Sequence, residues 1–276
     1  MTSFKKMLPG LVGALLLQLL PLTAHAVRAA EKDADAAALQ KGRAIAEEAD
    51  RRDAGFKDST AAIMMILTSP NGQESRRILR IKILENLDPK EGDKSLVVFD
   101  RPRDIAGTAL LSYAKILEPD DQWLLLPEVG RVKRISGSNR AGPFMGSEYA
   151  YEDLSAPELD KYDYKYLRVE PCGELQCFVI ERTPRYRDSG YKRQEVWLDT
   201  TEYRPWRVDF YDRRDRLLKR LTYADYRRYG KHWRSHDMLM TNLRTHKTTR
   251  LAVHSYQLGV GLSESEFTQS SLQRAR

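Results

Sequence analysis

The spacing of apolar positions changes once along the chain. From Glu31 to Arg52 they fall at Ala38, Ile45, Ala46 and Ala49, with Glu47, Glu48, Arg51 and Arg52 opposite. That stripe in an alanine-rich segment predicts an amphipathic helix, stopped at Gly55. Beyond Gly55 the period drops to two. Thr60 to Thr68 predicts a strand apolar on both faces, with Ala62, Met64 and Ile66 on one and Ile63, Met65 and Leu67 on the other. Pro70-Asn71-Gly72 predicts a hairpin turn. The return strand, Arg76 to Leu84, sends Arg77, Leu79, Ile81 and Ile83 one way and Arg76, Ile78, Arg80, Lys82 and Leu84 the other.

Strand patterns continue at Lys94 to Phe99, Ala109 to Leu117, Gln122 to Leu126 and Arg131 to Ile135. They resume at Tyr162 to Glu170, Phe178 to Arg185, Arg193 to Asp199, Pro205 to Tyr211, Arg216 to Tyr226, Lys231 to Asn242 and Arg250 to Tyr256. Between the two series, Ser136 to Pro157 is irregular: it is rich in Gly, Ser and Pro, holds Phe144-Met145, and ends acidic and aromatic from Glu148 to Asp153. A long structureless insertion in a compact domain is usually functional. Ser263 to Arg276 is a short amphipathic tail with Phe267 and Leu272. These patterns predict a fold that is mainly β with a few helices: a large antiparallel sheet or open barrel built from hairpins.

The first residues read as an export leader. Lys5 and Lys6 form a positive start, Leu8 to Leu22 an apolar stretch, and Ala24-His25-Ala26 a small-x-small cleavage site. Residues 1–26 are therefore expected to be a signal peptide cleaved near Ala26. The mature chain is expected in the periplasm with at most transient membrane contact, since no later segment reaches the roughly 20 apolar residues of a span. Removing Lys5 and Lys6 lowers the formal net charge from +7 to +5. In that compartment modest basicity argues for solubility, and no nucleic-acid partner is expected.

The two cysteines, Cys172 and Cys177, flank a turn between strands and predict a structural disulfide in an oxidising compartment. Catalytic signatures are thin. The chain has no G-x-S-x-G, H-E-x-x-H or P-loop. His232 and His236 would share a strand face without a third ligand nearby, so no metal is expected. Glu152-Asp153 reads as solvated surface. The basic run Arg204 to Arg220 reads as a hairpin with its charged side in water, with a docking face for an acidic partner or lipid headgroups as the alternative. No enzyme activity and no cofactor are expected.

One block is specific. Gln122-Trp123-Leu124-Leu125-Leu126-Pro127, Arg131-Val132-Lys133-Arg134-Ile135, and Pro143-Phe144-Met145-Gly146-Ser147-Glu148-Tyr149 through Tyr151-Glu152-Asp153-Leu154 resemble the signature of outer-membrane lipoprotein-sorting-protein-like proteins of the LolA/LolB superfamily. Leu125 stands where that family usually has Tyr, and Glu148-Tyr149 where it has Asp-Phe. The resemblance implies about eleven antiparallel strands in a half-open barrel, with helices over an apolar concave face that holds acyl chains. It implies a single carrier domain over residues 27–276, a monomer that takes lipid or acylated protein cargo, and an RND-type inner-membrane transporter as a partner. An envelope sensor of the RseB type is the alternative use of the fold. The residues expected to line the cavity are Met64, Ile66, Leu79, Ile81, Ile83, Val98, Leu111 and Leu125, with Phe144 and Met145 as its lid. Met side chains suit an adaptable pocket. A one-residue slip would invert which strand face looks inward.

Overall fold

The structure, a computed structural model, describes residues 20–86 and 91–274. Up to residue 19, the expected leader lies outside the described residues. The chain divides into two compact units, Met1–Ala37 and Ala38–Arg276. The first contributes the early turns of α1, Leu20–Asp53, which starts well before the expected Glu31. The alanines of residues 24–38 carry helical propensity that far back. Among the described residues no helix is long and apolar enough to cross a membrane.

Among the described residues, the second unit holds every strand. These are β1 (Asp58–Thr68), β2 (Glu74–Leu84), β3 (Glu91–Arg101), β4 (Ala109–Lys115), β5 (Asp121–Leu126) and β6 (Arg131–Arg134), then β7 (Tyr162–Cys172), β8 (Leu175–Pro184), β9 (Tyr191–Asp199), β10 (Pro205–Asp212), β11 (Leu217–Tyr229), β12 (His232–Asn242) and β13 (Thr248–Leu258). The alternation pattern marks the same thirteen, with ends displaced by a few residues. The eleven implied by the family resemblance is too few. All thirteen form one open antiparallel sheet in the order β6-β5-β4-β3-β2-β1-β13-β12-β11-β10-β9-β8-β7. Each strand pairs with its sequence neighbour, except that β1 pairs with β13 and β6 does not pair with β7. The Cys172–Cys177 disulfide closes the β7–β8 turn, with Cα atoms 5.8 Å apart.

Register assigns the faces. Ile63 lies opposite Leu79 and Val253, Leu79 opposite Phe99, and Val97 opposite Leu110. These side chains join Met65, Leu124, Ile180, Val196, Val208, Phe210, Leu221 and Met240 in one core that runs across the sheet. We call this side the inner face. It is covered by Ile45 and Ala46 of α1 and by residues 135–161, which supply Ile135, Phe144 and Tyr149. α1 approaches closely because Gly42 has no side chain: a Cβ there would sit 2.5 Å from the Tyr166 backbone nitrogen on β7.

The outer face has its own smaller core. Leu96, Val98, Ala109, Leu111 and Leu125 pack under Phe267 and Leu272, which belong to a 3₁₀ turn (Glu264–Phe267) and to α2, Gln269–Arg274. The terminal helix therefore covers the outer side, where the resemblance implied helices over the concave one. Leu272 is fully buried. Leu272→Ala is expected to destabilise the fold by about 2–5 kcal/mol, the usual range for truncating a buried leucine, measured as a lower midpoint in urea at unchanged slope.

Candidate functional site

Consecutive strands β6 and β7 form opposite edges of the sheet. The chain between them, residues 135–161, therefore has to leave one edge and reach the other, and it does so over the inner face. This strap contains the irregular segment noted in the sequence. It has little regular structure, only short 3₁₀ turns at Gly137–Asn139, Phe144–Gly146, Tyr151–Leu154 and Leu159–Lys161. Hydrogen bonds within its own turns and side chains projecting from the sheet take the place of the missing ladder.

Phe144 is the apolar anchor. It is buried, stacked on Phe99 of β3 at 5.6 Å and edge-on to Tyr151 at 5.4 Å. The next residue, Met145, takes a left-handed backbone (φ 49°, ψ 35°), which is uncommon for a residue with a side chain. Arg77 of β2 holds it there by donating to the Met145 carbonyl at 2.6 Å. Further along, the Glu148 amide donates to Thr249 Oγ1 on β13 at 3.0 Å, and Asn242 of β12 donates to the Glu148 carboxylate at 2.7 Å. Gln122 of β5 donates to the Tyr151 carbonyl at 2.8 Å.

The deepest clamp is ionic. Lys219 of β11 places Nζ 2.5 Å from Asp153 Oδ2, and each side chain is 5% exposed. The same ammonium donates to the Glu148 carbonyl at 2.9 Å. Asp153 also accepts from Tyr191 of β9 at 2.8 Å and from the Ala150 amide at 2.6 Å. Its neighbour Glu152 accepts from Ser189, the Gly190 amide and Tyr186. Burial, and then the Asp153 charge, push the Glu152 carboxyl up against the pull of those donors. The solvated-surface expectation for Glu152-Asp153 is therefore wrong, because the pair turns inward onto sheet residues distant in sequence. A second buried pair, Lys161–Asp120 at 2.6 Å, fixes the far end of the strap beside Leu159–Lys161.

The expected cavity residues do not form one wall. Leu79, Ile81 and Ile83 share the inner parity of β2, and Phe144 and Met145 lie over that face with Leu79 and Ile81. Met64 and Ile66 point to the outer face, opposite in parity to the buried Ile63 and Met65. Val98, Leu111 and Leu125 are also outer, beneath α2. The assignment fails there because those segments are apolar on both sides, so alternation does not say which parity looks inward. Met64 instead lines an open outer groove of about 570 Å³ with Ile78, Arg76, Asp100, Arg101 and Arg103.

The basic run is largely neutralised within the chain. Arg204 pairs with Asp199, Arg207 and Arg220 with Asp209, and Arg216 with Asp212. Lys219 does not belong to the water side with them. Its signal was present: it shares the parity of Leu221 and Tyr223. Tyr191, Gln122 and Arg77 were not singled out as strap anchors, because nothing local marks a residue whose partner arrives from the opposite edge. His232 and His236 sit on β12, both buried, and His236 bonds to Tyr229 and to the Val253 carbonyl. Among the described residues no cluster of three potential metal ligands occurs.

Two of these contacts are open to direct measurement. Removing one partner of the buried Lys219–Asp153 pair leaves the other charge stranded. Asp153→Asn is expected to cost about 3–5 kcal/mol, and Asp153→Asn with Lys219→Met distinctly less than the sum of the two single changes. A double-mutant cycle by urea denaturation measures both. The second contact involves Asp93, whose amide donates to Glu158 of the strap at 2.8 Å. Burial, with added repulsion from Glu158, pushes the Asp93 carboxyl up to about 7, although the Asn86 amide pulls it down. The folded chain then keeps a proton that the unfolded chain releases, so this group's contribution to stability is lost as pH rises from about 4 to about 7. Asp93→Asn is expected to flatten that slope and to stabilise the protein at about pH 8, measured by denaturation across pH.

Comparison with known proteins supports a family assignment. A family model described only as an uncharacterized protein matches residues 91–274. No curated protein matches the chain. Among solved structures, one described as an outer membrane lipoprotein-sorting protein domain from Vibrio parahaemolyticus is 47% identical, with TM-score 0.83, over 86% of this chain and 100% of that one. A DUF1329 family protein from Desulfovibrio piger is 30% identical, with TM-score 0.80, over 85% of this chain and 99% of that one. A LolA superfamily protein from Nitrosomonas europaea shares the fold at 22% identity, with TM-score 0.67, over 83% of this chain and 98% of that one. Signature block and these relatives together show that the chain belongs to the outer-membrane lipoprotein-sorting-protein-like family, and its open sheet has the fold of the LolA superfamily.

Proposed function

We propose that this protein is a periplasmic carrier that shields the acyl chains of a lipid or lipoprotein between the inner face of its sheet and the strap. The observation that carries the reading is the character of that contact. An apolar face shared by most strands of the sheet is covered, in part, by a segment with little secondary structure of its own. Regular elements fill a core permanently. A strap held by discrete side-chain bonds exchanges one apolar occupant for another. An acyl chain loses about 0.8 kcal/mol per CH₂ left in water, and displacement of Phe144 and Met145 uncovers apolar surface to receive it.

In this reading residues 1–26 are a cleaved leader and residues 27–276 work as one monomeric carrier domain, without catalysis, cofactor or nucleic acid. The carrier touches membranes only while loading and unloading, and an RND-type inner-membrane transporter stands as donor or acceptor of the cargo.

A second reading, a sensor that docks a protein partner through the same fold, is favoured by the outer groove, where Met64 and the exposed Ile78 lie among Arg76, Arg101 and Arg103.

Titration with a fluorescent fatty-acyl probe tests the carrier directly, together with native mass spectrometry of protein purified from periplasm. Saturable uptake at one probe per chain is expected. Phe144→Ala should speed uptake while leaving the sheet's circular dichroism intact. No uptake by either protein, with a lipid-free mass, would move the reading to partner docking and to the outer groove.

A further inference from the structure

The sheet alone presents an anion site under the strap. Lys219 and Phe210 are cross-strand partners on β11 and β10, and Tyr191 lies on β9. The Lys219 ammonium sits 5.1 Å from the Phe210 ring centroid and 5.2 Å from that of Tyr191. A cation on the apolar parity of a sheet is costly unless an anion meets it. The anion that meets it, Asp153, comes from the strap and is gripped by two donors of the sheet, Lys219 Nζ and the Tyr191 hydroxyl. Earlier in the same strap, Phe144 and Met145 cover the apolar surface around Phe99. An apolar stretch followed by a carboxylate is the chemical outline of a fatty acid.

We propose that the strap is an internal stand-in for cargo, and that the cargo is an acyl chain with a carboxylate head. The head replaces Asp153 on Lys219 and Tyr191, and the chain replaces Phe144 and Met145. This rests on the carrier reading and goes further by naming the head group. A single ammonium and one hydroxyl match a singly charged carboxylate. A phosphate head carries up to two charges and takes more donors than these residues supply. The Ala150 amide that caps Asp153 belongs to the strap and leaves with it.

The test compares palmitate, methyl palmitate and palmitoyl-lysophosphatidic acid as competitors of an uncharged aliphatic fluorophore. It uses the full delipidated chain at about pH 8, where the fatty acid head is ionised in water. Three proteins are measured: the unaltered chain, Asp153→Asn, and Asp153→Asn combined with Lys219→Met. The combined variant removes both buried charges, so it does not depend on a stranded ion folding. The unaltered chain and Asp153→Asn are expected to bind palmitate at least about tenfold more tightly than its methyl ester, a modest share of what a buried charge pair contributes. In the combined variant that ratio should fall to about one while ester binding persists. Equal binding of acid and ester by Asp153→Asn, an unchanged ratio in the combined variant, or stronger binding of the lysophosphatidic acid would each overturn the proposal and leave the carrier standing. Failure of every competitor and of the fluorophore would overturn the carrier reading as well.

Discussion

The protein depends on one topological constraint: two strands adjacent in sequence, β6 and β7, are the two free edges of a single sheet. Antiparallel hairpins account for every other connection except the pairing of β1 with β13, which lets the second half of the sheet grow from the first strand. The remaining connection must be long, must cross the inner face, and cannot be a hairpin. A segment in that position covers the core without joining the hydrogen-bond ladder. It is fastened by hydrogen bonds within its own turns and by polar side chains of the sheet.

That fastening explains why the specific family block carries so many acidic and polar residues. Glu148, Glu152 and Asp153 are the strap's side of a set of bonds whose other halves, Thr249, Asn242, Lys219, Tyr191 and Ser189, lie far away in sequence. Each bond is modest alone, since folding exchanges it for bonds to water. Buried together in an apolar surrounding they specify one position for the strap, and any displacement must replace several of them at once. Apolar cover with a polar fastening is consistent with a face that opens to cargo rather than one that is sealed.

The two faces of the sheet use different covers, and they should differ in permanence. The outer core closes under α2 and the 3₁₀ turn before it, with Leu272 and Phe267 fully inserted and Tyr113 donating to the Phe267 carbonyl. The inner core closes under α1, brought in at Gly42, and under the strap. The helices are regular elements; the strap combines short turns bonded within itself with side-chain bonds to the rest of the chain. Opening the molecule at the strap therefore breaks buried side-chain bonds, whereas removing either helix exposes apolar surface and breaks ion pairs nearer the surface, such as Lys82–Glu266 and Arg43–Asp160.

Local chemistry in the sequence determined most of the architecture. Strand patterns mark all thirteen strands, Pro70-Asn71-Gly72 marks a hairpin turn, and the Cys172–Cys177 spacing marks its disulfide. These signals survive because each depends on residues within a turn or a strand of one another. Only the tertiary structure decided which side of a doubly apolar strand faces the core. Met64, Ile66, Val98, Leu111 and Leu125 went outward because the registers from β13 through β1 to β5 left them there. It also decided that Lys219 and Asp153 are buried partners rather than surface charges. Periodicity places Lys219 on the apolar parity of its strand, but the anion that neutralises it arrives on a strap far away in sequence, and nothing along the chain reports that pairing.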